Sequence, residues 1–403
     1  MTGRACTTRD LWRAAVAQER VRAVVAALVL AACLTCPFGA DKIDASPSFA
    51  LADRAAGLTG GARALTTYRA YVASDPATWT NAQLASQMTF CGVMAQDTRA
   101  AKAASALGVG GIVLLGNGAS SHLRSQLVGV RKAAPHGIEP CVASDEEGGA
   151  VQRLRHVLYR LPSAKTMGSW SAEKIVATAR AYGTRMRRLG VVMDFAPVAD
   201  LDVAGRYIHH YRRAFSGSPK HVSDDVVAWI DGMRQAGVMS AVKHWPGHGS
   251  AADTHGRAAR VPPFAELKKR DLVPFEAVFK FGVQAVMVGH LKSKGLTAAG
   301  LPASESPKAL HYLRSRIGSD TVIITDSLSM AAASSALHIS PATAAARALA
   351  AGADWALVCS GSPKHTISVV GEAIDEGRIP RSQAVASVRR ILRLKAQAGL
   401  TGD

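Results

Sequence analysis

The sequence has few aromatic residues. Phe, Trp and Tyr make up only 5% of its 403 residues, which argues against a stacking platform for single-stranded nucleic acid. It has six cysteines, too few for a dense disulfide scaffold. It has no run of five or more basic residues and no helix-turn-helix, zinc-finger or RNA-binding signature, so nucleic acid is not an expected partner. No G-x-G-x-x-G follows a first strand, which disfavours a dinucleotide fold. Its longest apolar run is short of the roughly 20 residues that span a bilayer. Acidic residues are scarce relative to basic ones, 30 against 48, for a net charge of +18. Scattered positive charge favours encounter with an anionic surface such as a cell envelope, and says nothing about chemistry. Apolar residues make up 48% and charged residues 19%, which excludes a wholly disordered chain.

The first forty residues read as an address. Ala23 to Leu34 form a twelve-residue apolar run preceded by Arg20 and Arg22, the layout of a signal-peptide core. A buried helix of the fold is the alternative. Within the run, Leu30-Ala31-Ala32-Cys33 resembles a bacterial lipobox, in which Cys33 would be lipidated. Cleavage after Ala40 is the competing reading. Either way the mature protein is expected outside the cytoplasm, with the membrane reached only through a lipid anchor. The domain reading is an export segment over 1–40, a linker over 41–65 and one catalytic domain over 66–400.

From residue 85 onward, short β-rich runs alternate with helical stretches. The strand candidates are 89–94, 111–116, 140–145, 191–197, 239–244, 284–290, 321–326 and 355–360. Most are continuous apolar runs, as in strands buried on both faces of a parallel sheet. Eight strands alternating with helices predict a single (β/α)₈ TIM-type barrel; an open doubly wound sheet is the alternative. One helix is expected over 223–237, with Ser223 as N-cap and Gly237 as C-cap. A final helix, Ser382 to Leu394, buries Val385, Val388, Ile391 and Leu392 and leaves Arg389, Arg390, Arg393 and Lys395 solvated. Cys91, Cys141 and Cys359 are expected as buried free thiols. Asp145, Asp194, His244, His290 and Asp326 fall at strand C-terminal ends, the active face of such a barrel.

The densest segment runs from Lys243 to His255, KHWPGHGSAADTH. Its glycines and proline mark a loop. His244, His248 and His255 with Asp253 invite a metal reading, but Pro246 and two glycines make the helix that H-x-x-x-H needs improbable. The alternative is a catalytic loop in which Asp253 orients His255 for proton transfer, because residues two apart in extended chain point the same way. Asp326 ends another strand and suits a nucleophile or charge stabiliser. Asp145 could hold sugar hydroxyls, Glu146 and Glu147 could cap the next element, and Arg153 could reach the same mouth.

Taken together, these segments resemble the bacterial β-N-acetylglucosaminidases of glycoside hydrolase family 3, the NagZ type. The carriers are KHWPGHG-SAAD-TH, Asp145 to Arg153 (DEEGGAVQR), Phe195 to Leu201 (FAPVADL), Arg213-Ala214-Phe215, and Thr325 to Met330 (TDSLSM). They follow the family's order across roughly residues 85 to 395. Trp245 and Thr254 are mild departures from its pattern; Ala150 and Ser327 depart from it too, and neither of these two maps to a catalytic role. The resemblance implies an enzyme that removes terminal β-linked GlcNAc with retention. Asp326 would be the nucleophile and His255 the general acid/base, oriented by Asp253. Asp145, Arg153, Arg213, Lys243 and His244 would bind the sugar. Lys243 and the arginines would also meet an acidic lactyl or peptide group, so the expected partners are peptidoglycan-derived sugars. No metal and no cofactor are called for, and a monomer is expected. A β-glucosidase or xylosidase on the same fold, a metal-dependent hydrolase and a non-catalytic wall-binding lipoprotein are the alternatives.

Overall fold

The computed structural model describes residues 75–256 and 258–401, which belong to one compact unit. Cys33, the export segment and the linker lie outside the described residues.

Eight strands run in parallel: β1 (Thr89–Met94), β2 (Gly111–Leu115), β3 (Cys141–Ser144), β4 (Met193–Asp194), β5 (Met239–Trp245), β6 (Ala285–Val288), β7 (Val322–Thr325) and β8 (Ala356–Val358). Their order is β7-β6-β5-β4-β3-β2-β1-β8. A parallel bridge between Ile324 and Trp355 brings β7 to β8, so the sheet is a nearly closed barrel. Each of the eight expected runs contributes a strand. The one from 191–197 is cut to two residues, because Pro197 has no N–H to donate and interrupts the ladder; pairing resumes beyond it, where Val198 bridges Lys243.

The strands' apolar side chains pack inward and against an outer layer of helices. Helix Ala172–Leu189 shows how the sequence sets one element. Ser171 accepts a hydrogen bond from the Lys174 N–H at its start, and Gly190 ends it in the left-handed region at φ 95. Ile175, Ala179, Tyr182 and Met186 recur on one helical face and are fully buried. Its neighbour, Pro219–Gln235, crosses closely. A Cβ on Gly232 would stand 2.4 Å from the Val176 carbonyl oxygen, so only glycine fits there.

That second helix starts a turn earlier than expected. Ser218, not Ser223, is its N-cap, with Pro219 at the first helical position. Ser223 sits inside and donates its hydroxyl to the Pro219 carbonyl at 2.7 Å. The helix ends at the cap Ala236, and Gly237 follows in the left-handed region.

The last helix, Arg381–Gln397, corrects another expectation. Val388 and Ile391 are buried as read, but so is Lys395. Its ammonium donates to Gln87 Oε1 at 2.8 Å, and burial lowers its pKa to about 7. Arg390 bonds Asp354 at 2.9 Å. Arg389 and Arg393 form exposed ion pairs with Asp75 and Asp320. The stripe is thus two surface ion pairs flanking two groups that tie the helix to the barrel.

Candidate active site

The strand ends converge on a cavity of about 570 Å³ whose lining includes Asp145, Lys243, His244, His255 and Asp326. Its apolar floor comes from Leu115, Phe195, Met287 and Leu357, each within one residue of the C-terminal end of β2, β4, β6 or β8. This is the C-terminal face of the barrel, where such folds place their sites.

After β3 the chain makes a short antiparallel hairpin, Glu146–Gly148 against Val151–Gln152. Gly148 lies at φ 85 and Gly149 at φ 58. A Cβ on Gly148 would stand 2.1 Å from the Pro162 carbonyl oxygen, so the turn demands glycine. The reversal carries Arg153 back beside Asp145, 3.6 Å from its carboxylate. The two intervening glutamates face opposite ways. Glu146 points inward and accepts from the Tyr182 hydroxyl at 2.6 Å and the Leu154 N–H at 3.1 Å. Glu147 points to the mouth, where both its oxygens accept from Arg213, at 2.7 and 2.8 Å.

Lys243, on β5, joins this cluster. Its ammonium lies 2.7 Å from Asp145 and 2.6 Å from Glu147. Burial would favour a neutral lysine, yet Asp145 and Glu147 raise its pKa above the usual value. Burial likewise opposes ionisation of Glu147, and Arg213 and Lys243 overcome it, holding the carboxyl well below its ordinary range. Next along β5, the His244 Nδ1 sits 2.7 Å from Asp200. With the proton on Nδ1, Nε2 is left to face the Arg213 guanidinium at 3.3 Å. Asp200 also accepts from the His248 N–H at 2.7 Å, so one buried carboxylate pins both ends of the loop's first turn.

The loop after β5 then runs outward. His248 is buried, with Nε2 3.3 Å from the Thr254 hydroxyl. Burial, with help from His244 and Arg213, drops its pKa to about 4, so it is neutral at physiological pH. Asp253 and His255 stand at the rim, their side chains 51% and 64% exposed. Asp253 Oδ1 meets His255 Nδ1 at 2.5 Å and accepts from the His255 N–H at 3.0 Å. Burial opposes ionisation of Asp253, but the His255 N–H and ring lower its pKa. The Tyr207 ring packs against both His248 and His255, with centroids 5.9 Å apart in each case. The three loop histidines thus have three different main partners: Asp200, Thr254 and Asp253.

Asp326 follows β7, and its carboxylate accepts from the Ser327 N–H at 2.7 Å. Burial would raise its pKa, but His244, His290, the Ser327 N–H and Lys243 together lower it. The site therefore presents an ionised carboxylate from one side and a carboxylate-oriented imidazole from another. That pairing can attack an electrophilic carbon and shuttle a proton.

A family comparison agrees with this geometry. The description "Glycosyl hydrolase family 3 N terminal domain" matches residues 80–394. The chain belongs to glycosyl hydrolase family 3. It is 36% identical over 264 residues to beta-hexosaminidase LpqI of Mycobacterium tuberculosis, covering 63% of this chain and 67% of that one. Among solved structures, a family 3 glycosyl hydrolase from Mycobacterium smegmatis superposes with a TM-score of 0.73 at 33% identity, over 80% of this chain and 98% of that chain. A family 3 beta-N-acetylglucosaminidase from Paenibacillus sp. gives a TM-score of 0.74 at 28% identity, over 81% of this chain and 64% of that chain.

In this family 3 barrel, Asp145, Arg153, Arg213, Lys243, His244, Asp253, His255 and Asp326 all gather at one mouth, and all but Asp253 line its cavity. Asp194 does not belong with them. It is fully buried, accepting from the Glu146 N–H at 3.1 Å and the Trp229 indole at 3.2 Å. His290 is buried too, with Nε2 2.9 Å from the Ser327 carbonyl, and it supports the turn after Asp326. Cys91 and Cys141 are buried free thiols, whereas Cys359 is partly buried and lines the cavity. Lys243 and Arg213 are neutralised by Asp145 and Glu147, so they are not spare cations for an acidic aglycone. Glu147, Asp200 and Tyr207 are not among the site residues read from the sequence, and His248 is read there only as a candidate metal ligand. The block around Glu147 and the FAPVADL block ending in Asp200-Leu201 were the available signals.

Proposed function

We propose that this protein is an exo-acting, retaining β-N-acetylglucosaminidase that removes terminal β-linked GlcNAc from peptidoglycan fragments during cell-wall turnover. The observation that carries the reading is the meeting of the Asp326 carboxylate and the Asp253-oriented His255 at one cavity. Retaining hydrolysis needs one group to attack the anomeric carbon and another to protonate the departing oxygen. Asp326 attacks and forms a glycosyl-enzyme. The imidazolium of His255 gives its proton to the leaving oxygen, then takes one from the water that releases the sugar. The neighbouring Asp253 stabilises the positive charge that His255 carries in the first step.

Asp145, Arg153, Arg213, Lys243 and His244 form the sugar-binding wall. Their mutual ion pairs hold the donors at fixed positions, so little reorganisation is needed when a hydroxyl or amide arrives. The cavity is floored by the barrel core, which suits a chain end rather than the middle of a polymer. The names of the hexosaminidase relatives support the choice of GlcNAc. We place the enzyme at the cell envelope as an exported monomer, anchored through Cys33 or released by cleavage. The apolar run with its arginine flank and the net positive charge support this. Among the described residues no helix is long and apolar enough to cross a membrane.

The test is turnover of a chromogenic β-GlcNAc glycoside against the matching β-glucoside, with and without chelator, beside Asp326→Asn. Chelator-insensitive release from the GlcNAc glycoside that collapses in the variant is expected. Preference for the glucoside, or loss of activity with chelator, would overturn the reading.

A further inference from the structure

A cavity of about 530 Å³ lies apart from the mouth and takes no part in the reaction above. It is walled by the helices Pro307–Arg316 and Arg381–Gln397 and by the end of a third, Pro341–Ala351. Pro307, His311 and Arg314 line it from the first helix, and Gln383, Ser387 and Arg390 from the second. Each set is spaced i, i+4, i+7, which is one helical stripe, so two stripes meet across the gap. Arg314 donates to the Thr321 carbonyl at 2.7 Å, directly before β7, and bonds Asp354, shortly before β8. The cavity therefore sits where those strands begin, whereas Asp326 and the catalytic mouth lie where β7 ends.

The lining is cationic. Lys308, Arg314 and Arg390 belong to it, and among the described residues that line it none is Asp or Glu. The carboxylate behind the wall is Asp354, whose side chain is 1% exposed. It accepts from the Arg314 guanidinium, from Arg390 at 2.9 Å, from the Ser387 hydroxyl at 2.7 Å and from the Ile323 N–H at 2.8 Å. Two guanidiniums thus share one buried carboxylate, and Lys308 adds a further positive charge. Burial disfavours the charge on Arg314, Asp354 supports it and Arg390 opposes it, and its pKa falls below the usual value. Among the described residues Lys308 and His311 form no hydrogen bond or ion pair, and Arg314 Nε and Arg390 Nη2 have no acceptor. Neither nitrogen is among the buried unpartnered atoms, so both are open to solvent.

We propose that this cavity is a second ligand site, remote from catalysis, that takes the phosphate group of an organic phosphate, with Lys308 and the free edges of Arg314 and Arg390 as its donors. Guanidinium forks beside an ammonium suit the several oxygens of a phosphate. Its negative charge answers the excess that Asp354 alone leaves. The cavity has the size of a small-molecule pocket, roughly 300–1,000 Å³, and Pro307, Leu310 and Ala351 give it an apolar side, so the ligand carries an organic body as well. A soluble glycerol phosphate and a phospholipid headgroup share this chemistry. Either leaves the catalytic mouth open, because the site lies where the strands begin.

The experiment measures binding by the purified protein in ~0.15 M salt, where exposed charges more than about 8 Å apart are largely screened. Calorimetry with glycerol 3-phosphate, against glycerol, reads the soluble source. Co-sedimentation with phosphatidylglycerol vesicles, against phosphatidylcholine vesicles, reads the lipid source. Wild type, Lys308→Glu, Arg390→Gln and Lys269→Glu are compared. Lys269 is exposed and does not line the cavity, so Lys269→Glu matches the charge change of Lys308→Glu elsewhere on the surface. Binding to at least one probe is expected, weakened about tenfold or more by Lys308→Glu and by Arg390→Gln and less than about twofold by Lys269→Glu. An effect confined to glycerol 3-phosphate assigns the soluble ligand, and one confined to the vesicles assigns the headgroup. No binding to either probe, or equal weakening by Lys308→Glu and Lys269→Glu, overturns the proposal. Arg390→Gln removes a bond to Asp354, so its thermal midpoint is read alongside; if it unfolds, Lys308→Glu still decides. Hydrolysis of the chromogenic β-GlcNAc glycoside is expected to be unchanged in Lys308→Glu, and its absence in the wild type would count against the hydrolase reading alone.

Discussion

The two halves of the mouth are built in opposite ways. On one side Asp145, Glu147, Arg213 and Lys243 form a network in which Glu147 and Lys243 are almost wholly buried and joined at 2.6 Å. Its members issue from β5 and from segments anchored at strand ends. On the other side Asp253 and His255 sit on a loop, more than half exposed, and lean mainly on each other. The difference follows from the tasks we assign. Groups that recognise a sugar gain from fixed geometry. A group that gives up a proton and takes it back needs water and room, and a loop supplies both. The first half should therefore fail by unfolding when it is broken, and the second by losing chemistry alone.

The sharpest way to break that comparison begins with Asp326, which serves both halves. Asp326→Asn should cost roughly 10⁴-fold or more in kcat/KM, measured with a chromogenic β-GlcNAc glycoside. His255→Ala should cost roughly 10² to 10⁴-fold on a disaccharide, with a smaller loss on a nitrophenyl glycoside whose leaving group needs no proton. Its thermal midpoint should barely move, because the His255 side chain is mostly exposed and exposed substitutions change stability by about 0.5 kcal/mol or less. Glu147→Gln should behave in the opposite manner. It leaves Arg213 and Lys243 short of a buried counter-charge, a loss of about 3–5 kcal/mol for a broken buried pair, read by urea denaturation. If His255→Ala unfolds the protein or Glu147→Gln leaves its stability intact, the division between the halves is wrong.

The smallest expected effect lies beneath the network. Burial raises the Glu146 pKa from its ordinary value of 4.5 to about 7. The folded state thus holds this proton more tightly than the unfolded chain does. The associated stability is complete below about pH 4.5 and is lost as pH rises to about 7. Glu146→Gln removes that titration, so the variant should gain on the wild type across this window in urea melts. Asp194 faces the same network and is also raised by burial, so the wild-type slope should be reduced rather than abolished. An unchanged slope would refute the assignment.

Local pattern made the barrel legible. Runs such as VIIT in β7 and AVMV in β6 are apolar on both faces because both faces are covered, and that is visible one strand at a time. The Asp253–His255 pair was legible for the same reason, since its partners are two residues apart. Glu147 was harder. Its partners Arg213 and Lys243 lie 66 and 96 residues away by the numbering, and no local spacing reports an ion pair between separate segments. Lys395 misled in the other direction. A basic residue in a helix reads as solvated, and the Gln87 side-chain oxygen that accepts from the Lys395 ammonium helps make its burial tolerable. Asp194 shows that a polar residue at a strand end is not thereby a site residue.

The central claim is that Asp326 attacks the sugar while His255 handles the proton. It is tested most directly by incubating the protein with a 5-fluoro β-GlcNAc glycoside, which slows release of the glycosyl-enzyme, and mapping the adduct by mass spectrometry. The account predicts one sugar bonded to the peptide that contains Asp326, with no adduct in Asp326→Asn. An adduct on another residue, or turnover with inversion and no adduct, would contradict it.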